Sequence, residues 1–347
     1  MTALEPQAPT PGDPATEPTE IGEIGARFEL ARAGCGALRE RVSASFLGHR
    51  EVVDLLLACV LADGHALLEG APGLGKTTLV KSLAAALGLA FQRVQFTPDL
   101  MPGDILGMRI LDEDAAGRRT FRFEPGPIFA EILLADEINR ATPRTQAALL
   151  EAMQERQVTL FGETRRLPEP FIVIATQNPI EMEGTYPLPE AELDRFLCKL
   201  ELGAPGEDEL VTILEATTEP SLPPAIPPLD PAALRDMRAL ARMVPLSSDM
   251  TRLAARVVRL TDPSNPAAPE DVKRYLRFGA SPRGGQALLL LGKAHALFSG
   301  RPWVAVEDLR AVAGPALRHR LVFGYEGEAS GVHADELVRQ AFSAAAG

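Results

Sequence analysis

The chain has 347 residues, 46% hydrophobic and 24% charged, which is enough apolar material for two domains or one large one. A formal net charge of −12, with no block of Lys or Arg, argues against a protein that lives on the phosphate backbone of nucleic acid. The longest apolar run, VVDLLLACVLA, is broken by Asp54 and too short to span a bilayer, and no signal-peptide pattern opens the chain, so a cytoplasmic protein is expected.

Residues 1–22, rich in Pro, Thr, Glu and Ala, hold too few large apolar side chains to offset their ordering entropy and are expected to form a disordered tail. Helical patterning begins near Ile24. A second helix, over Arg50–Ala62, is too densely apolar to lie on the surface. From His65 to Ile174 the runs ALLE, FQRVQF, EILLAD and FIVIAT alternate with helical stretches such as Arg144–Gln154, which predicts an α/β core with a mainly parallel sheet. Two hairpins interrupt it: MRILDEDAAGRRTFRF, turning at DEDAAG, and QVTLFGETRRL, turning at FGET. The Pro-rich segment Pro220–Pro228 reads as a stiff linker, after which Asp230 as N-cap and Pro231 at the first helical position start a helix. No strand run follows. The expected division is a tail at 1–22, a nucleotide-binding core at 23–219, a linker at 220–230 and a small helical domain at 231–347.

Within EGAPGLGKTTLVKSLAAALG, the residues Gly70, Gly75, Lys76 and Thr77 fit G-x-x-x-x-G-K-[ST] between a strand and a helix. The loop formed by Gly70, Ala71, Pro72, Gly73, Leu74, Gly75, Lys76, Thr77 and Thr78 is therefore expected to wrap the phosphates of ATP. Its backbone N–H groups and the helix N-terminus favour anions. Lys76 should reach the β- and γ-phosphates, and Thr77 offers a hydroxyl to Mg²⁺.

EILLADEINR ends a buried strand with two acids at the sheet edge where open α/β sheets bind ligands. Asp136 suits the Mg²⁺ shell, and Glu137 suits a base for the attacking water, so the pair implies hydrolysis. FIVIATQNP carries Thr176, Gln177 and Asn178 at its tip, where an uncharged amide can orient water or sense the γ-phosphate. Arg195 lies in LPEAELDRF. In GASPRGG, Ser281 and Pro282 start a helix that aims its N-terminus and Arg283 at one target.

In this order and spacing, GAPGLGKT, ILLADEINR, ATQNP, LPEAELDRF and GASPR resemble the MoxR family of AAA+ ATPases from about Ile24 to the C-terminus. The resemblance implies that Lys76 and Thr77 belong to Walker A, and Asp136 and Glu137 to Walker B. It makes Asn178 sensor 1 and Arg283 sensor 2, and Arg195 an arginine finger reaching a neighbouring subunit. Gly48 would border the adenine. The family's two insertions match the hairpins, around Arg109–Phe123 and Gln157–Leu167. Glu192 stands where relatives commonly carry an amide, and the acidic tail is not a family feature. A homo-oligomeric ring, expected to be hexameric, would remodel or mature a protein client together with a von Willebrand A domain protein. Other readings are a chelatase motor for tetrapyrrole synthesis, a nucleic-acid motor, disfavoured by the acidic balance, and a nucleotide-gated scaffold that barely turns over.

Overall fold

A computed structural model describes residues 17–113, 119–179, 184–218 and 227–347. The first 16 residues of the expected tail, the first hairpin's turn with Arg118, and residues 219–226 around the linker lie outside the described residues. Helix α1 (Glu17–Ser43) is the first described element, so residues 17–22, expected in the tail, are helical instead.

The core then runs α2 (Arg50–Leu61), β1 (Ala66–Gly70), α3 (Lys76–Leu87), β2 (Phe91–Gln95) and α4 (Pro102–Leu106). A hairpin of β3 (Gly107–Glu113) and β4 (Arg119–Pro125) precedes β5 (Ile132–Asp136) and α5 (Pro143–Glu155). A second hairpin, β6 (Gln157–Leu160) and β7 (Glu163–Arg166), leads to β8 (Ile172–Gln177), α6 (Glu190–Leu193), β9 (Cys198–Leu202) and α7 (Glu207–Thr218).

Five strands form a parallel sheet in the order β2-β5-β8-β1-β9. Successive side chains of a strand point to opposite faces. Ile132, Leu134, Ile172 and Ile174 accordingly join one apolar cluster with Leu79 and Leu83 of α3. Leu133, Ala135, Val173 and Ala175 join a second with Leu149 and Leu150 of α5. Burial on both faces is why these strands read as unbroken apolar runs. In β1, β5 and β8 the polar residues sit at the carboxyl ends, and pairing sets Gln95 beside Asp136 and Glu69 beside Gln177.

The C-terminal region consists of α8 (Pro231–Met243), α9 (Ser248–Leu260), α10 (Glu270–Tyr275), β10 (Leu276–Phe278), α11 (Pro282–Phe298), α12 (Val306–Leu317), β11 (Val322–Phe323), α13 (Tyr325–Ser330) and α14 (Ala334–Ala346). Asp230 caps α8 by accepting from the Ala232 N–H at 2.9 Å. The expectation of a purely helical region needs one correction, because β10 and β11 pair antiparallel. Strands of three and two residues are too short to show a period of two. Leu288, Leu291 and Leu309 of this region share one apolar cluster with Leu68 and Leu79 of the core and Leu38 of α1. The fold is an α/β core with a helical C-terminal lid, as the sequence predicts.

Candidate nucleotide site

The phosphate loop joins the end of β1 to the start of α3. Gly75 heads the helix at φ 79°, a left-handed conformation that a side chain would strain. A Cβ on Gly70 would stand 2.8 Å from the Leu202 carbonyl oxygen, so the strand can turn there only without a side chain. Leu74 anchors the loop against the core, whereas Pro72, Gly73 and Thr78 are exposed. Lys76 donates its ammonium to the Gly70 carbonyl and, at 3.1 Å, to that of Ala71. Burial lowers its pKa, while the carboxylates of Asp136, Glu137 and Glu69 act in the opposite direction. Loop lysine and acid pair therefore share one field.

Phe46, two residues before Gly48, stands beside this loop. A Cβ on Gly75 would lie 3.1 Å from the Phe46 ring, which stacks on His49 with centroids 6.1 Å apart. The His49 N–H donates to Glu209 of α7, whose carboxylate fills the space next to Gly48.

Thr176 organises the acids. Its hydroxyl donates to Asp136 Oδ1 at 2.5 Å and accepts the Glu137 N–H at 2.8 Å. Glu137 is held at φ 56°, which turns the chain out of the strand directly after Asp136. The Glu137 carboxylate accepts from Gln95 at 2.7 Å and from Arg140 at 3.0 Å. Asp136 also accepts two bonds from Arg93, at 2.9 and 2.6 Å. Asn178 is buried, one residue beyond the Glu69–Gln177 pair. Sequence reasoning missed Arg93, Gln95 and Arg140. The available signal was the Arg-x-Gln alternation in FQRVQ, which sets two polar residues on one face of a strand.

The donor set fits magnesium. Thr77 at the head of α3 offers a hydroxyl and Asp136 a buried carboxylate, both hard oxygen ligands.

Arg195 and Arg283 come together elsewhere. Both line a cavity of about 290 Å³, with Arg156, Arg242 and Arg320, and none of residues 70–78 lines it. Asp194 builds this corner by accepting from the Ser281 hydroxyl at 2.9 Å and from Arg320 at 2.7 Å. Ser281 in turn caps α11 by accepting the Arg283 N–H at 3.1 Å.

The two hairpins also meet. The Arg165 guanidinium lies 4.3 Å from the centre of the Phe123 ring, and Arg109 pairs with Glu163 at 3.6 Å. Leu111, Phe121 and Phe161 remain exposed on them. The three cysteines are free and buried, and burial pushes the Cys35 thiol up to about 12. Among the described residues, no helix is long and apolar enough to cross a membrane.

Residues 65–198 match the model of the ATPase family associated with various cellular activities (AAA), and residues 268–341 match the AAA lid domain. Chaperone MoxR1 of Mycobacterium tuberculosis is 43% identical over 81% of this chain and 73% of that protein. Protein MoxR of Paracoccus denitrificans is 34% identical over 87% and 91%. YeaC of Bacillus subtilis is 42% identical over 89% and 93%. The crystal structure of a Cytophaga hutchinsonii protein, named as a candidate ATPase, superposes with a TM-score of 0.86 at 34% identity, covering 94% of this chain and 98% of that one. This chain's phosphate loop, strand-end acid pair and helical lid, together with relatives that match it along most of their length, lead to one conclusion: the chain belongs to the MoxR family of AAA ATPases.

Proposed function

We propose that the protein hydrolyses ATP in a magnesium-dependent manner, and that it does so as a ring of identical subunits, six by family resemblance. Lys76 and the loop amides bind the phosphates, Thr77 and Asp136 hold the metal, and Glu137 takes the proton of the attacking water. Bound magnesium supplies charge neutralisation to the phosphates. Asn178 positions the water, and Gly48 borders the base. Arg195 and Arg283 serve the nucleotide of the neighbouring copy.

The observation that supports this reading is the shared cavity of Arg195 and Arg283, which no residue of their own phosphate loop lines. An arginine finger supplied by a neighbour is worth roughly 10³–10⁵ in turnover in well-studied nucleotide hydrolases. Each subunit then carries one half of two active sites.

Hydrolysis would drive a chaperone-like remodelling of a protein client, with a von Willebrand A domain protein as co-factor in maturation or metal insertion. The name of the mycobacterial relative supports the chaperone part. The two hairpins, with Phe121 and Phe161 exposed, are the surface offered to the client.

The test mixes two inactive proteins. Arg195→Ala and Glu137→Gln should each bind ATP and release phosphate slowly, while a co-assembled mixture regains activity at interfaces pairing an intact Glu137 with an intact Arg195. Wild-type specific activity should rise with protein concentration. No recovery in a mixture proven to co-assemble, with turnover independent of concentration, would overturn the shared-site reading.

A further inference from the structure

Arg93 has no part in the phosphate loop or the acid pair, yet it grips the metal-site carboxylate. Its Nε and Nη2 donate to Asp136 Oδ2 at 2.9 and 2.6 Å, opposite the Thr176 hydroxyl on Oδ1. Both carboxylate oxygens are thus engaged inside the protein. The two partners differ in freedom. Thr176 is fully buried, whereas the Arg93 side chain is 44% exposed on β2, the edge strand of the sheet.

We propose that Arg93 is a resident counter-ion of Asp136, which an incoming divalent cation must displace, so that Arg93 sets the metal affinity of the nucleotide site. The proposal rests on the reading of Asp136 as a metal ligand. A buried carboxylate with no cation would be costly, and the guanidinium meets that need before nucleotide arrives. A divalent ion that reaches Asp136 meets a like charge at hydrogen-bond distance from Oδ2. The open flank of an edge strand gives the guanidinium room to swing into solvent.

The exchange is also relayed. The Nη2 that holds Asp136 donates to Gln95 Oε1 at 2.7 Å, and Gln95 Nε2 donates to Glu137 at 2.7 Å. Moving the guanidinium removes the anchor of the amide that restrains the base. Arg93 is in this sense a positioning residue, acting through Asp136 and Gln95.

The experiment measures Mn²⁺ binding to the full-length protein saturated with ADP, by the electron paramagnetic resonance of free Mn²⁺. Nucleotide affinity in chelator is measured alongside. Arg93→Met keeps the apolar stem without the charge and should bind Mn²⁺ about three- to tenfold tighter, the range of a partly exposed ion pair. Arg93→Lys should fall between the two, and metal-free ADP affinity should stay within about twofold. A merely structural role would weaken Mn²⁺ and metal-free ADP binding together. Mn²⁺ affinity in Arg93→Met that is unchanged or weaker, beside normal wild-type binding, overturns the counter-ion. Loss of the fold in both Arg93→Met and Arg93→Gln, read by circular dichroism, overturns it as well. Absence of ADP-dependent Mn²⁺ binding in the wild type, or full binding in Asp136→Asn, instead overturns the metal-site reading on which it rests.

Discussion

Ser281 donates its hydroxyl to Asp194 at 2.9 Å across 87 residues of chain, and through that bond the lid helix carrying Arg283 is fastened to the segment carrying Arg195. The other Asp194 oxygen takes Arg320, whose side chain is only 3% exposed. Replacing Asp194 by Ala leaves that guanidinium buried without its carboxylate. Loss of about 3–5 kcal/mol of stability is expected, the cost of breaking a buried pair from one side. Urea unfolding checks it, and a change below about 1 kcal/mol would place the pair among ordinary surface contacts.

Glu137→Gln should retain nucleotide affinity and lose roughly 10²–10⁴ in turnover, the usual consequence of removing a positioned base. The amide is isosteric, so the bond from the Glu137 N–H to Thr176 survives. Nucleotide binding and phosphate release, measured on one preparation, decide the point; wild-type turnover in the variant would take the base role away from Glu137.

Acid should destabilise the fold before most carboxylates titrate. His65 is held neutral by burial, with Arg156 adding to the effect, and its pKa falls from 6.5 to about 3. Its Nδ1 accepts the Val173 N–H at 2.9 Å, so the ring proton lies on Nε2, facing the Met153 carbonyl at 3.2 Å. Burial, then Arg320, lowers His319 well below the ordinary value too. Below pH 6.5 the unfolded chain takes up protons that these native rings refuse. Stability present above that pH is therefore lost progressively as pH falls toward the folded-state value, by up to about 1.4 kcal/mol per pH unit for each ring. Equal urea midpoints at neutral pH and at about pH 5 would contradict it.

Arg165 and Arg166 to Ala should weaken client-coupled turnover while basal hydrolysis stays nearly intact. Arg165 stacks on Phe123 of the other hairpin, so the pair also fixes how the two hairpins stand together. Basal and client-stimulated phosphate release, compared on the same variant, separate the roles; equal loss of both would tie the hairpins to the fold or the ATP site.

The loop from Gly70 to Thr78 and the acids Asp136 and Glu137 were legible because each motif is contiguous and its geometry local. Strands β1, β5 and β8 were legible for a similar reason, since burial on both faces leaves unbroken apolar runs, whereas β9, interrupted by Lys199 and Glu201, was not read as a strand. The grip of Arg93 and Gln95 on the acids was not, because it arises from strand register between segments about 40 residues apart. Nor was the meeting of the hairpins, where each tip alone looks like a solvated turn. The Thr176 hydroxyl was visible only as one polar residue at a strand tip; its double bonding depends on the left-handed turn at Glu137.

The apolar cluster that runs from Leu68 and Leu79 through Leu38 to Leu288 and Leu309 has a mechanical consequence. A lid that shares its interior with the core cannot pivot on it without opening close-packed surface to water. Each subunit then moves as one stiff body, and heat should melt it in a single cooperative step. In the proposed ring of such bodies, whatever ATP does would be expressed at the seams between subunits rather than by bending within one.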